Sequence, residues 1–141
     1  LKCDSIYPLC SSGTSLPFSD EIFDRVLVDA PCSGLGTLRK NPDIKYNIKK
    51  DAVTRLAKLQ ESILFEAYRV CKKGGIVVYS VCTFTEDETV QVVNEFINEK
   101  KVILIDAPEL LNQWKIQTGQ YQTLPLKNLW DGFFLSIFQK P

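Results

Sequence analysis

Two cysteines stand where a reactive thiol would be useful. Cys32 lies three residues beyond an apolar run ending at Asp29, and Cys82 lies two residues beyond a run ending at Ser80. A thiolate is the strongest ordinary side-chain nucleophile, so such positions suit covalent catalysis. Free cysteine more often serves as a small buried hydrophobe, and that is the ordinary reading of either one alone. Two thiols, each in a loop at a strand end, point instead to a shared site. Asp29 adds a carboxylate at the same end. The chain has five cysteines and no histidine, which excludes imidazole acid–base chemistry and a Ser-His-Asp triad. The remaining cysteines carry no such signal: Cys71 reads as packing, and Cys3 and Cys10 follow no pattern. No CxxC occurs, and an odd count at irregular spacing fits neither a disulfide framework nor a metal site. Reduced thiols and a cytoplasmic compartment are expected.

The elements that must position these thiols can be read from periodicity. Residues 5–22 form a Ser-, Pro- and Gly-rich loop. Phe23–Asp29 is a short buried strand, followed by a loop from Ala30 to Asn47. Val53, Leu56, Leu59, Ile63, Leu64 and Ala67 mark an amphipathic helix from Asp51 to about Lys72, closed by Gly74 and Gly75. Ile76–Val81 is a second strand. Thr85 and Glu88 have capping-box spacing and open a helix to about Lys100. Val102–Asp106 and Phe133–Gln139 read as strands, with a mixed stretch at 107–132. This alternation predicts an α/β fold with a mainly parallel sheet and helices on both faces. Ligands bind beyond the carboxyl ends of such strands. If the two cysteine-bearing strands are parallel neighbours, about 4.8 Å apart, both thiols face one crevice.

Composition bounds the partners. The 141 residues carry 17 basic and 17 acidic side chains, so no global charge draws the chain to nucleic acid. Locally, Arg39, Lys40, Lys45, Lys49 and Lys50 cluster with one acid, Asp43, a pattern suited to phosphate contacts or to a solvated loop. Trp114, Tyr121 and Trp130 could stack on bases, but aromatics in a mixed stretch are more often core. No signal peptide or membrane-length apolar run is visible. The chain begins at Leu1 and contains no methionine, which suggests a piece of a longer protein.

Asp29-Ala30-Pro31-Cys32-Ser33-Gly34 resembles the first cysteine motif of the Sun/RsmB family of RNA cytosine-carbon-5 methyltransferases. Gly36-Thr37, Arg39–Asp43, Leu59-Gln60 and Gly75–Ser80 resemble the same family. So do Cys82-Thr83 with the acidic Glu86 and Glu88, and Asp131–Phe134. Val81 and Tyr46 depart from its usual Thr and Trp, and the family's glycine-rich cofactor loop has no counterpart here. The resemblance implies the C-terminal part of a Rossmann-like methyltransferase domain that uses S-adenosylmethionine and acts on RNA, ribosomal RNA in particular. The residues alone do not rank the two thiols. By resemblance, Cys82 attacks carbon 6 of cytosine, Cys32 serves product release, and Asp29 is catalytic. The same resemblance implies cofactor contacts from Asp4, Asp29 and Pro31, and the basic cluster leads to expected RNA contacts from Arg39, Lys40 and Lys45. The isolated chain is then expected to be inactive. The rival expectation is a non-catalytic RNA-binding or assembly module that keeps the fold.

Overall fold

A computed structural model describes residues 5–125 and 130–141. Asp4 and Lys127 lie outside these residues. β1 (Phe23–Asp29) is followed by a single helical turn, α1 (Ile44–Asn47), and then by α2 (Lys50–Val70). β2 (Cys71–Val81) leads to α3 (Val90–Glu99). Four strands complete the chain: β3 (Ile103–Leu104), β4 (Lys115–Gln117), β5 (Gln120–Thr123) and β6 (Phe133–Gln139). One sheet runs in the order β1-β2-β6-β5-β4, with β3 also paired to β6.

β1 and β2 are parallel neighbours as expected, with Val26 opposite Val77 and Asp29 opposite Ser80. The expectation of a mainly parallel sheet needs correction. Among the described residues β1–β2 is the parallel pair, and the pairings of β6 with β2, β3 and β5, like that of β4 with β5, are antiparallel. The sheet is mixed because the mixed stretch 107–132 is not irregular throughout. It folds into β4 and β5 and turns the chain back, so that β6 enters against its neighbours.

The placement of helices also differs from expectation. α2 and α3 pack on each other over one face of the sheet. Their contact stripe is periodic: Val53, Ala57, Gln60, Leu64 and Ala67 on α2, and Val92, Val93 and Phe96 on α3, are buried. From the sheet, Val28, Val77, Tyr79, Val81, Phe134 and Phe138 meet them. Side chains alternate across a strand, so Leu27 points to the opposite face, where it is 70% exposed. Phe96 is the centre of the helical layer, with ring centroids 5.0 Å from Phe138, 5.5 Å from Phe65 and 5.7 Å from Tyr68.

Gly74 and Gly75 do not close α2. The helix ends at Val70, and Cys71 is already the extended first residue of β2. Phe23 faces Cys71 while Arg25 faces Ile76, so Lys72–Gly75 bulges out of the ladder. Gly74, at φ 72, supplies the left-handed residue that this bulge needs. Val102–Asp106 shortens to the two paired residues of β3.

These burials predict a sharp contrast between two apolar positions. Phe96→Ala should cost about 3–5 kcal/mol, the usual range for emptying a buried aromatic site. Leu27→Ala should stay within about 0.5 kcal/mol, because it removes exposed surface. Urea unfolding of the two variants checks this; equal midpoints would mean that the helical layer does not pack on Phe96.

Candidate active site

The parallel register of β1 and β2 brings both thiols to one edge, with Cys32 Sγ 3.2 Å from Cys82 Sγ. Both cysteines are free and partly buried. Each sits in a loop held by the backbone. Ala30 N–H extends the ladder past Asp29 by donating to Ser80 O at 3.0 Å. Gly36 N–H donates to Cys82 O at 3.0 Å, and Gly132 N–H donates to Gly36 O at 2.8 Å. Three chain segments therefore touch through their main chains. A methyl group at Gly36 would lie 1.9 Å from Gly132 O and 2.8 Å from Cys82 O, so only glycine fits.

Beneath the thiols a fully buried carboxylate, Glu88, ties the two cysteine loops together. Its Oε1 accepts from Ser33 N–H at 2.8 Å and from Gln60 Nε2 at 3.0 Å. Its Oε2 accepts from Ser33 Oγ at 2.5 Å, Thr85 Oγ1 at 2.9 Å and Thr83 Oγ1 at 3.2 Å. Ser33 follows Cys32 and Thr83 follows Cys82, so one side chain fixes the residue after each thiol. Gln60 also donates to Pro31 O at 2.9 Å. The Tyr79 hydroxyl lies 2.8 Å from Glu88 O and 3.1 Å from Gln60 Oε1 and can donate to either. Burial, and then the charge of Glu88, push the Tyr79 phenol far above its ordinary range, so it stays a donor.

This overturns the capping-box reading. The stretch Glu86–Glu88 is a turn of 3-10 helix, α3 begins only at Val90, and no side chain caps it. Glu88 turns inward because five donors outbid a single exposed N–H. Glu88, Gln60, Tyr79, Ser33 and Thr83 are the site residues that sequence reasoning missed. A signal existed for Gln60, a polar side chain on the apolar stripe of α2.

The other expected residues spread around this pair. Asp29 is exposed at the end of β1 and makes no hydrogen bond to either thiol among the described residues. Pro31 is exposed one residue before Cys32. Both stand at the carboxyl end of β1, the edge where ligands bind in open α/β sheets. Arg39 is exposed, Lys40 pairs with Asp131 at 2.5 Å, and Lys45 lies over the Tyr46 ring at 4.7 Å. The basic cluster thus flanks the thiols without touching them.

Burial, reinforced by the neighbouring Cys82 thiol, pushes the pKa of Cys32 up from 9.0 to about 12. Cys32 therefore keeps its proton near neutral pH. In the unfolded chain it ionises near 9.0, so the folded state holds the extra proton between these values. Its contribution to stability is complete below that window and is lost as pH rises through it. Alkylation by iodoacetamide, read by peptide mass spectrometry, should leave Cys32 largely unmodified until the pH approaches 12; a Cys32 midpoint near 9 would contradict the assignment.

Replacing the carboxylate tests the clamp. Glu88→Gln leaves five donors facing one acceptor oxygen and adds two donors of its own. It should cost about 1–3 kcal/mol in urea unfolding and raise the alkylation rate of Cys32. A variant with unchanged stability and unchanged thiol reactivity would show that Glu88 does not hold the loops.

Comparison with known proteins agrees with this architecture. The family model described as 16S rRNA methyltransferase RsmB/F matches residues 6–139. A Bacillus subtilis (strain 168) protein named "Probable ribosomal RNA small subunit methyltransferase B" is 43% identical over 129 residues, 87% of this chain and 29% of its own length. Ribosomal RNA small subunit methyltransferase B of Vibrio cholerae is 38% identical over 120 residues, 85% of this chain and 26% of its own length. The chain thus spans less than a third of these curated relatives. Among solved structures, a methyltransferase homolog protein from Pyrococcus horikoshii superposes with TM-score 0.68 at 28% identity, covering 86% of this chain and 40% of that one. NSun6 from the same organism, solved with SFG, an analogue of S-adenosylmethionine, gives TM-score 0.65 at 26% identity over 81% of this chain and 29% of its own. The Rossmann-like methyltransferase fold and its cofactor class are those expected from the motifs. Matched over all but its first and last few residues, the chain belongs to the RsmB/F family of 16S rRNA methyltransferases.

Proposed function

We propose that the protein to which this chain belongs methylates carbon 5 of a cytosine in RNA, ribosomal RNA in the first place, through a covalent adduct on Cys82. The observation that carries this reading is the 3.2 Å separation of two free thiols on one sheet edge. Family membership supports the coarser part, an rRNA methyltransferase that uses S-adenosylmethionine.

Carbon 5 of cytosine is a weak nucleophile. Addition of the Cys82 sulfur to carbon 6 moves the double-bond electrons onto carbon 5. Bound S-adenosylmethionine supplies the electrophile, a methyl group on a positively charged sulfur. Asp29, exposed at the end of β1, is assigned to meet charge on the ring, and Asp29 and Pro31 are assigned to the cofactor. Once carbon 5 carries the methyl group, its proton must leave so that the double bond reforms and the sulfur is expelled. Release is assigned to Cys32: once its thiol has given up its own proton to solvent, its sulfur, beside that of Cys82, can take the carbon-5 proton as the bond from Cys82 to carbon 6 breaks. Exposed Arg39 and Lys45 suit phosphate contacts. The target base must leave its stack to reach the thiols. In this reading the 141 residues alone are inactive, and the reduced thiol pair belongs in a cytoplasmic-type compartment.

The test uses the intact protein, S-adenosylmethionine and labelled RNA. Cys82→Ser should abolish methyl transfer, because a hydroxyl without an adjacent base is a poor nucleophile. Cys32→Ser should still attack and then remain bound to its RNA. A denaturing gel should show a slow-migrating adduct for Cys32→Ser and none for Cys82→Ser. The reverse pattern would exchange the roles, and full activity of both variants would favour a non-catalytic module.

A further inference from the structure

The stretch after α3 holds a second site. Trp114, Trp130 and Phe133 line an open cavity of about 760 Å³, and Arg39, Lys40 and Asp131 stand on its wall. Trp130 is 57% exposed and Phe133 43% exposed, which core aromatics would not be. Tyr121, by contrast, is buried, and its hydroxyl is engaged by Ala107 N–H at 2.7 Å. All three aromatics singled out in the sequence line the cavity: Tyr121 is buried there, and the two tryptophans have ring centroids 5.4 Å apart.

Aromatic planes with a basic margin are how proteins hold unpaired bases. An aromatic cage for a quaternary ammonium is the competing use. It is disfavoured here because Lys40 neutralises Asp131, at 2.5 Å, and Arg39 adds positive charge. Those cations suit a ligand that brings phosphate.

The cavity is tied to the thiols. Asp131 precedes Gly132, whose N–H reaches Gly36 O, and Gly36 N–H reaches Cys82 O. Two main-chain hydrogen bonds separate its wall from the proposed nucleophile. We infer that this cavity receives a base of the RNA strand close to the target cytosine, stacked on Trp130. The inference rests on the RNA reading above and adds a base-binding subsite beside the thiols. A base held there would fix which neighbouring nucleotide enters between them.

The experiment measures binding of a fluorescein-labelled single-stranded RNA with alternating adenines and cytosines to the intact protein by anisotropy. A second RNA has the same backbone with abasic sites in place of the adenines. Stacking on an aromatic is worth about 1–3 kcal/mol by alanine substitution. Trp130→Ala should therefore weaken binding of the first RNA by about 5- to 150-fold. It should leave binding of the abasic RNA nearly unchanged, and Trp130→Phe should retain most of the affinity. Unchanged alkylation of Cys32 reports that the variants keep the site folded. Equal affinity of Trp130→Ala and the unsubstituted protein for the first RNA would overturn the subsite while leaving the methyltransferase reading in place. An equal loss on both RNAs would overturn it as well, since the tryptophan would not then be meeting a base. If the unsubstituted protein binds neither RNA, the subsite and the RNA reading fail together. Quenching of tryptophan fluorescence by tetramethylammonium, but not by adenosine monophosphate, would overturn it in favour of the ammonium cage.

Discussion

A single buried carboxylate organises the reactive edge of this chain. Glu88 accepts from the main chain and hydroxyl of Ser33, from Gln60, and from Thr83 and Thr85. A buried acid is expensive unless its oxygens are filled, and here each oxygen has at least two donors. The consequence is positional. The chain after Cys32 and the chain after Cys82 cannot move apart without stranding a buried acceptor. The thiol separation of 3.2 Å is thus set by a hydrogen-bonded network under the sulfurs, and not by the sulfurs themselves. Gln60 and Tyr79 extend the same network into α2 and β2, which links the thiol loops to the hydrophobic layer around Phe96.

Above the sulfurs the constraint is steric. Gly36, Gly132 and Cys82 approach through their main chains, with no room for a side chain at Gly36. Asp131-Gly132 begins the segment that becomes β6, so the last strand of the sheet is anchored to the first thiol loop. The reaction proposed above needs such rigidity, because both sulfurs must address adjacent carbons of one ring.

Much of this was legible in the residues. The valines of Phe23–Asp29 and Ile76–Val81 mark buried strands, and parallel pairing of those strands is enough to bring Cys32 and Cys82 together. Glu88 was misread for a physical reason. A capping box and an inward clamp both place a Glu three residues after a Thr, and only the partners in space distinguish them. Ser33 and Gln60 are such partners, 55 and 28 residues away. Gly74 and Gly75 look like a helix stop, yet the left-handed turn they allow serves a bulge in β2. β4 and β5 are short, and their pairing depends on β6, so no local pattern announces them. Exposure, which no local pattern announces, separates Trp130 from the buried Tyr121.

The separation in sequence has a bearing on when the site comes into being. Cys32 and Cys82 are 50 residues apart, and the Ser33–Glu88 bonds span 55. Contacts of this length pay their loop-closure entropy before they gain anything, so they form late and together with the strand pairing that supports them. A nascent or partly opened chain carries two distant, ordinary thiols. The adjacent sulfurs, 3.2 Å apart and with the Cys32 proton held by burial, belong to the closed sheet alone. Assembly of the fold and arming of the chemistry are in this sense the same cooperative event.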